Sequence, residues 1–340
     1  MPDSSLYLLV IVIILGVGFG IVNGFNDAAN AIAPAIGTRA LSPRAALIVA
    51  VIANMAGAAT GTAVAHTIGK GILVEGAITY PVIIAALASI IIWGTVATRA
   101  GLPISLHHGF IAGLGAAGMA TMAGNEAVVW DKMWWILSAV GIAPLLGFGC
   151  GFVAMVGLYW VLRRHAPDKI RRVFSRLQFL TTAFMAYSHG KNDGQMPIGV
   201  ITMAWVIFKG DDSLWDRLSL LDANTWWIIL ISSLAISVGT AMGGWRVIST
   251  MGMRVTALRP VQGFTVQASA ATVIEVASHF GIPVSTTHCI SASVMGVGST
   301  RRFSAVRWGL AGNIVTAWIL TFPICGGLGY LFAWLLGMIR

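Results

Sequence analysis

The chain has 340 residues, of which 57% are hydrophobic and only 10% charged. A water-soluble globular chain carries about 25% charged residues, so this composition excludes a soluble domain and places the polypeptide in lipid. The net charge of +9 comes from 21 Lys and Arg against 12 Asp and Glu, and because the basic residues stand beside apolar runs they read as topology signals rather than as a nucleic-acid surface.

The opening Met1-Pro2-Asp3-Ser4-Ser5 has no basic residue before the first apolar run, which predicts a retained span rather than a cleaved signal. That run, 6–38, carries Asn23, Asn26, Asp27, Asn30 and Pro34 in its second half. It exceeds the roughly 20 residues a span needs, and the polar cluster predicts a helix broken where it is buried in protein or lines a cavity. A span at 45–66 follows, with Gly57 and Gly61 as a close-packing face, and then one at 80–98. Next come Gly101-Leu-Pro103-Ile-Ser105-Leu106-His107-His108, a polar stretch with Glu126, Asp131 and Lys132, and an apolar run at 133–162. Arg163, Arg164, Lys169, Arg171, Arg172 and Arg176 form the most basic segment. The second half repeats this order. An apolar run at 177–208 is interrupted by His189-Gly190-Lys191-Asn192-Asp193, and an acidic loop contains Asp211, Asp212, Asp216 and Asp222. Spans at 225–244 and 261–280 flank a basic loop at 246–259. Gly281-Ile-Pro283-Val-Ser285-Thr286-Thr287-His288 precedes Arg301, Arg302 and Arg307, and a last apolar run closes the chain.

Laid over each other, Gly101, Pro103, Ser105 and His108 fall on Gly281, Pro283, Ser285 and His288, and Asn26-Asp27 falls on Asn192-Asp193. The pattern predicts an all-α integral membrane protein made of two repeats of about five membrane segments each, 1–162 and 177–340, joined by a basic linker at 163–176. Lys and Arg favour cytoplasmic loops, so 39–44, 163–176, 246–259 and 301–307 are expected inside, with both termini outside. An odd number of crossings inverts the second repeat. The two Pro-x-Ser hairpins then enter from opposite faces and meet near the midplane beside the broken helices, where inverted-repeat transporters hold substrate.

Ser285, placed after a proline and before an apolar run, reads as a helix N-cap. A helix start exposes unpaired N–H groups and the positive end of the dipole. Ser105, Thr286 and Thr287 add hydroxyls, and His108 and His288 on the hairpins, with Asn26 and Asn192 of the Asn-Asp pairs, are further candidates for the substrate site. Two such ends facing each other would cradle a tetrahedral oxyanion. An ordinary capped helix explains either hairpin alone; the mirrored duplication favours the binding reading. Asp27 and Asp193 are carboxylates within apolar runs, functional candidates because burial there is costly. Beside an anion they need a cation or proton between: Na⁺ held by Asp27, Asp193, Asn26, Asn192 and Asn30, a protonated Asp, or a proton carried by the substrate. The last device separates phosphate from sulfate, which carries no proton near neutral pH. Lys191 could neutralise Asp193 or snorkel to an interface, and Glu275, the acidic residue of its span, is a further candidate for coupling. Histidines at helix starts more often satisfy local hydrogen bonds than bind metal. Asn54, Gln262 and Gln267 read as interhelical glue. Cys150, Cys289 and Cys325 are isolated, with no metal-ligand spacing. No nucleophile elbow, His-Glu-x-x-His or Gly-rich phosphate loop is present, so neither catalysis nor a cofactor is expected.

The stretches Asn23-Gly-Phe-Asn-Asp-Ala-Ala-Asn30 with Ala31-Ile-Ala-Pro34, His189-Gly-Lys-Asn-Asp-Gly-Gln195 and Gly281-Ile-Pro-Val-Ser-Thr-Thr-His288 resemble the PiT inorganic phosphate transporter family over essentially the whole chain. The resemblance implies an inverted-repeat phosphate symporter driven by Na⁺ or H⁺, a homodimer of the bacterial inner membrane, with some members carrying phosphate as a neutral complex with a divalent metal. It places the substrate region at Asn26, Asp27, Ser105, Asn192, Asp193, Ser285, Thr286 and Thr287. Leu106 and His107 stand where the family usually has hydroxyls, and Gln195 and Met196 follow the second Asn-Asp where Ala29 and Asn30 follow the first. A sulfate or other oxyanion permease, an uncoupled anion channel or exchanger, and a membrane esterase acting through His107 or His108 are the alternatives. The esterase lacks an assembled nucleophile and base.

Overall fold

The computed structural model describes residues 2–122 and 124–338, with side chains for all of these except 2–4 and 28–30. The expectation placed on the Asn30 side chain lies outside the described residues. The elements, in order, are α1 (Pro2–Gly37), α2 (Pro43–Ala58), α3 (Ala63–Lys70), α4 (Tyr80–Ala100), α5 (Leu106–Met122), α6 (Trp130–Leu162), α7 (Pro167–Asp193), α8 (Gln195–Lys209), α9 (Trp226–Met242), α10 (Trp245–Ser249, continued by a π-helical turn, Thr250–Arg254), α11 (Pro260–His279), α12 (Thr286–Ser299) and α13 (Trp308–Met338). Among the described residues the only β pairing is an isolated bridge between Leu73 and Val128.

Helices α1, α4, α6 and α13 are each long and apolar enough to cross a bilayer, and the pairs α2–α3 and α9–α10 qualify together but are bent by 65° and 62°. The helices behind the two hairpins are shorter, with 17 residues in α5 and 14 in α12. At 1.5 Å per residue they reach roughly 25 and 21 Å, less than the ~30 Å hydrocarbon core.

The two polar clusters differ, and the sharp bends fall at neither. α1 runs unbroken through Asn23, Asn26 and Asp27, and the second cluster interrupts its helix only at Gly194, between α7 and α8. A helix satisfies its own backbone groups, so polar side chains that find partners on neighbouring helices need no break. The sharp bends occur at Ala59–Thr62 and at Gly243–Gly244, where Gly61 and Gly243 take φ of +93° and +66°. Gly61 therefore serves the bend rather than a packing face. Of the linker expected at 163–176, only 163–166 lies between helices; Lys169, Arg171, Arg172 and Arg176 sit on the exposed first turns of α7.

The two halves interlock instead of standing side by side. Four of the five most extensive helix pairings cross between them: α5 with α13, α6 with α12, α2 with α7, and α1 with α9. Glycine allows two of these contacts. A Cβ on Gly24 of α1 would lie 2.2 Å from the Ile236 carbonyl of α9, and one on Gly190 of α7 would lie 2.2 Å from the Asn54 carbonyl of α2. This is the backbone approach that small residues give membrane helices, and it brings the Asn-Asp turns of α1 and α7 against the bent helices.

Candidate functional site

Each hairpin is built in the same way. The helix before it ends on a glycine in the left-handed region, Gly101 at φ +73° and Gly281 at φ +68°, which turns the chain back toward Pro103 or Pro283. Serine then starts the next helix. The Ser105 hydroxyl accepts from the His108 N–H at 3.3 Å, and the Ser285 hydroxyl accepts from the His288 N–H at 3.1 Å. Both are N-caps of the kind expected. The first turns of α5 and α12 meet, with the His108 and His288 rings 4.9 Å apart. Trp318 of α13 supports both: its indole N–H donates to the Pro103 carbonyl at 3.0 Å and its ring stacks on His288 at 3.9 Å. The helices that Ser105 and Ser285 cap therefore meet through their first turns.

Beside this junction lie the two carboxylates. Asp27 of α1, and Asp193 and His189 of α7, are buried, with one ligand atom of each within 4.8 Å of the others. Thr287 donates to Asp27 Oδ1 at 2.6 Å and Thr286 to Asp193 Oδ2 at 3.2 Å, so α12 reaches both. The Leu106 backbone N–H at the start of α5 is directed at Asp27. The Asn192 amide bridges Asp193 Oδ1, at 2.9 Å, and the Val284 carbonyl, at 2.6 Å. His189 Nε2 lies 3.4 Å from Asp193 Oδ2, and His107 Nδ1 lies 3.7 Å from Asp193 Oδ1. The other ring nitrogen of His189 meets Asn54 Oδ1 at 2.7 Å, and Asn54 donates to Thr240 at 3.1 Å.

The electrostatics call for a positive charge. Two ionised carboxylates less than 5 Å apart repel by about 3–4 kcal/mol at an effective dielectric constant of 20, and the desolvation of each adds to that cost. The oxygens of Asp27 and Asp193 with the imidazole of His189 form a donor set that could hold a small cation, and a proton shared within the group would serve the same end. Both amide atoms of Asn23, Oδ1 of Asn26 and the Ser188 hydroxyl are buried without a hydrogen bond in the chain. Buried polar atoms of that kind are rare and need a partner. Here they stand on the same helices as the carboxylates, within five residues of Asp27 or Asp193.

Of the residues singled out from the sequence, Asp27, Asp193, Asn192, Thr286 and Thr287 form one contiguous group, and Ser105 and Ser285 cap the helices that face it. Asn26 is buried and donates to Thr98 on α4. Glu275 does not join the carboxylates. Its side chain is ion-paired to Lys191, because residues two apart on a helix point to nearly opposite sides and Lys191 therefore faces away from Asp193. His108 and His288 pack on each other, on Phe322 and on Trp318. They line the hairpin junction rather than the carboxylates. The histidine that does reach Asp193 from its own helix is His189, and the signal for it was present: four residues before Asp193, on the same helical face, as Asn23 stands before Asp27. Thr98 and Ser278, each seven residues before a hairpin serine, also went unread; the Ser278 hydroxyl donates to Asn192 Oδ1 at 3.3 Å.

Comparison with known proteins agrees with this geometry. The model of the phosphate transporter family matches residues 23–170 and 161–329. A protein of Rhizobium meliloti named "Probable low-affinity inorganic phosphate transporter" is 38% identical over 93% of this chain and 92% of its own length. A Bacillus subtilis protein of the same name is 35% identical over 99% of both chains. A solved structure titled "The sodium-dependent phosphate transporter" superposes with a TM-score of 0.86 at 26% identity, covering 98% of this chain and 100% of that one. The fold, the paired hairpins and these matches agree that the chain belongs to the phosphate transporter family.

Proposed function

We propose that this chain imports inorganic phosphate by cation symport with alternating access, using Na⁺ as the coupling ion. One observation carries the reading: the buried pair Asp27 and Asp193 lies between the capped starts of two helices, with hydroxyls of α12 on both carboxylates. Helix starts favour an oxyanion; the carboxylates repel it until a cation bridges them. Binding of the anion and the cation is thereby linked. Asp27, Asp193, Asn26 and Asn192 supply oxygens for the ion. Ser105, Ser285, Thr286 and Thr287 with the adjoining backbone N–H groups take the phosphate oxygens, and the phosphate's own proton lets it sit near a carboxylate where sulfate cannot. The structure titled as sodium-dependent supports Na⁺. A proton-coupled variant is favoured by a separate observation, the two histidines beside Asp193. In this reading the halves are inverted in a bacterial inner membrane, with the Arg-rich segments cytoplasmic, both termini external and two copies forming the working unit.

The test is phosphate uptake into proteoliposomes with Na⁺ and H⁺ gradients imposed independently. Uptake driven by an inward Na⁺ gradient at equal pH is expected, and Asp27→Asn and Asp193→Asn are each expected to reduce it at least a hundredfold in normally inserted protein. Uptake indifferent to both gradients would indicate a channel or exchanger instead.

A further inference from the structure

We propose a second oxyanion site, separate from the carboxylate centre, in the cleft where α9 bends into α10. This rests on the phosphate-transport reading for its purpose but not for its chemistry. The cleft has a volume of about 640 Å³ and is lined by Phe25, Thr95, Thr98, Arg99, Trp245 and Arg246, with Met242–Gly244 at the bend. Arg99 and Arg246 are exposed, and among the described residues neither has a carboxylate within ion-pair distance. Arg246 is held in place by donating to the Arg99 carbonyl, which sets the two side chains at one mouth. The floor is Thr98, whose hydroxyl accepts from Asn26, one residue from Asp27. This hydrogen bond ties the cleft lining to α1, the helix that carries Asp27.

The other half shows what is special here. Placed on the repeat, Thr98 corresponds to Ser278, Arg99 to His279 and Arg246 to Ala63. The cation that does lie beside that bend, Lys191 next to Gly61, is neutralised by Glu275. One mouth therefore presents two unpaired guanidiniums and the other none. Guanidinium suits tetrahedral oxyanions, and no carboxylate shares this cleft. It should hold hydrogen phosphate on its way between Asn26 and the aqueous phase, and it should take sulfate as readily, in contrast to the inner site.

The test is phosphate binding to the full-length purified protein, read by ³¹P line broadening, in the Asp27→Asn background, where Na⁺-dependent binding at the inner site is removed. A residual, Na⁺-independent component is expected. It should be displaced by sulfate, weakened by salt and reduced at least fivefold by adding Arg99→Gln or Arg246→Gln, with Arg246→Lys retaining most of it. Arg99→Gln tests the idea without touching the Arg246 contact. No residual binding in Asp27→Asn protein, or binding indifferent to both Gln substitutions, overturns the site. Loss of the component in nanodiscs containing phosphatidylglycerol, but not phosphatidylcholine, would give the cleft to a lipid headgroup and overturn it as well. Failure of Na⁺-dependent binding in the unsubstituted protein would instead count against the symport reading, leaving this site intact.

Discussion

At the level of single residues, the site depends on side chains that orient the Asn-Asp pairs as well as on the pairs themselves. Thr98 holds Asn26 and Ser278 holds Asn192, each from the helix that leads into a hairpin. A buried hydrogen bond is worth roughly 0.5–1.5 kcal/mol net, which is about a two- to twelvefold change in an equilibrium constant. Thr98→Val and Ser278→Ala are therefore expected to raise the apparent KM for the coupling ion about three- to tenfold with little loss of protein from the membrane. A Na⁺ titration of uptake reads this directly, and unchanged ion dependence in both variants would remove the clamps from the mechanism. His189 tests a different contribution. It ties Asp193 to Asn54 and Thr240, so His189→Gln, which can keep a hydrogen bond but cannot be protonated, should preserve Na⁺-driven uptake to within about threefold on the same hydrogen-bond scale. If instead uptake collapses and its pH profile flattens, the histidine carries a proton and the proton-coupled reading wins.

At the level of elements, the two bent helices are fastened to the two hairpins by matching bonds. The Thr67 hydroxyl of α3 donates to the Gly281 carbonyl at 2.8 Å, and the Thr250 hydroxyl, at the end of α10, donates to the Gly101 carbonyl at 3.0 Å. Each glycine is the left-handed residue on which its hairpin turns, so a short arm of one half holds the hairpin of the other half in register. Both fastenings are closed here, and the alternating access we propose would need them to open one at a time. Thr67→Val should loosen residues 281–285 and Thr250→Val residues 101–105, each raising amide exchange at its own hairpin about tenfold while leaving the other hairpin unchanged. Exchange that rises at both hairpins in either variant, or at neither, would show that these bonds are incidental to gating. The bends themselves were hidden in the sequence. They fall at Gly61 and Gly243 within runs that read as ordinary spans, whereas the first polar cluster lies on continuous helix and the second meets only the junction at Gly194. Polarity marked where side chains meet; glycine conformation marked where the backbone turns.

For the molecule as a whole, the order of the elements, the duplicated hairpins, their serine caps and the convergence on Asp27 and Asp193 could be read from spacing alone, because each follows from a local rule repeated in both halves. Pairing across the halves could not. His189 meets Asn54 across 135 residues, and neither spacing nor composition records that distance. The same limit hid the interlocking, in which α2 packs on α7, α9 on α1, α6 on α12 and α5 on α13. Each half alone leaves those faces uncovered, including the glycine surfaces of Gly24 and Gly190 that meet carbonyls of the opposite half. Residues 163–166, by contrast, are exposed and carry none of these contacts, and a chain break in such a segment is the kind membrane bundles tolerate. A protein divided between Arg164 and His165 should consequently regain Na⁺-driven phosphate uptake when both pieces are co-expressed, at a KM within about threefold of the intact chain, since the break removes no hydrogen bond of the site. Neither piece alone should be monodisperse in detergent, because the packing that excludes lipid from its centre is supplied by the other. A first half that purified as a stable monomer would mean that each repeat folds on its own and that the carboxylate centre forms by docking, not by interlocking.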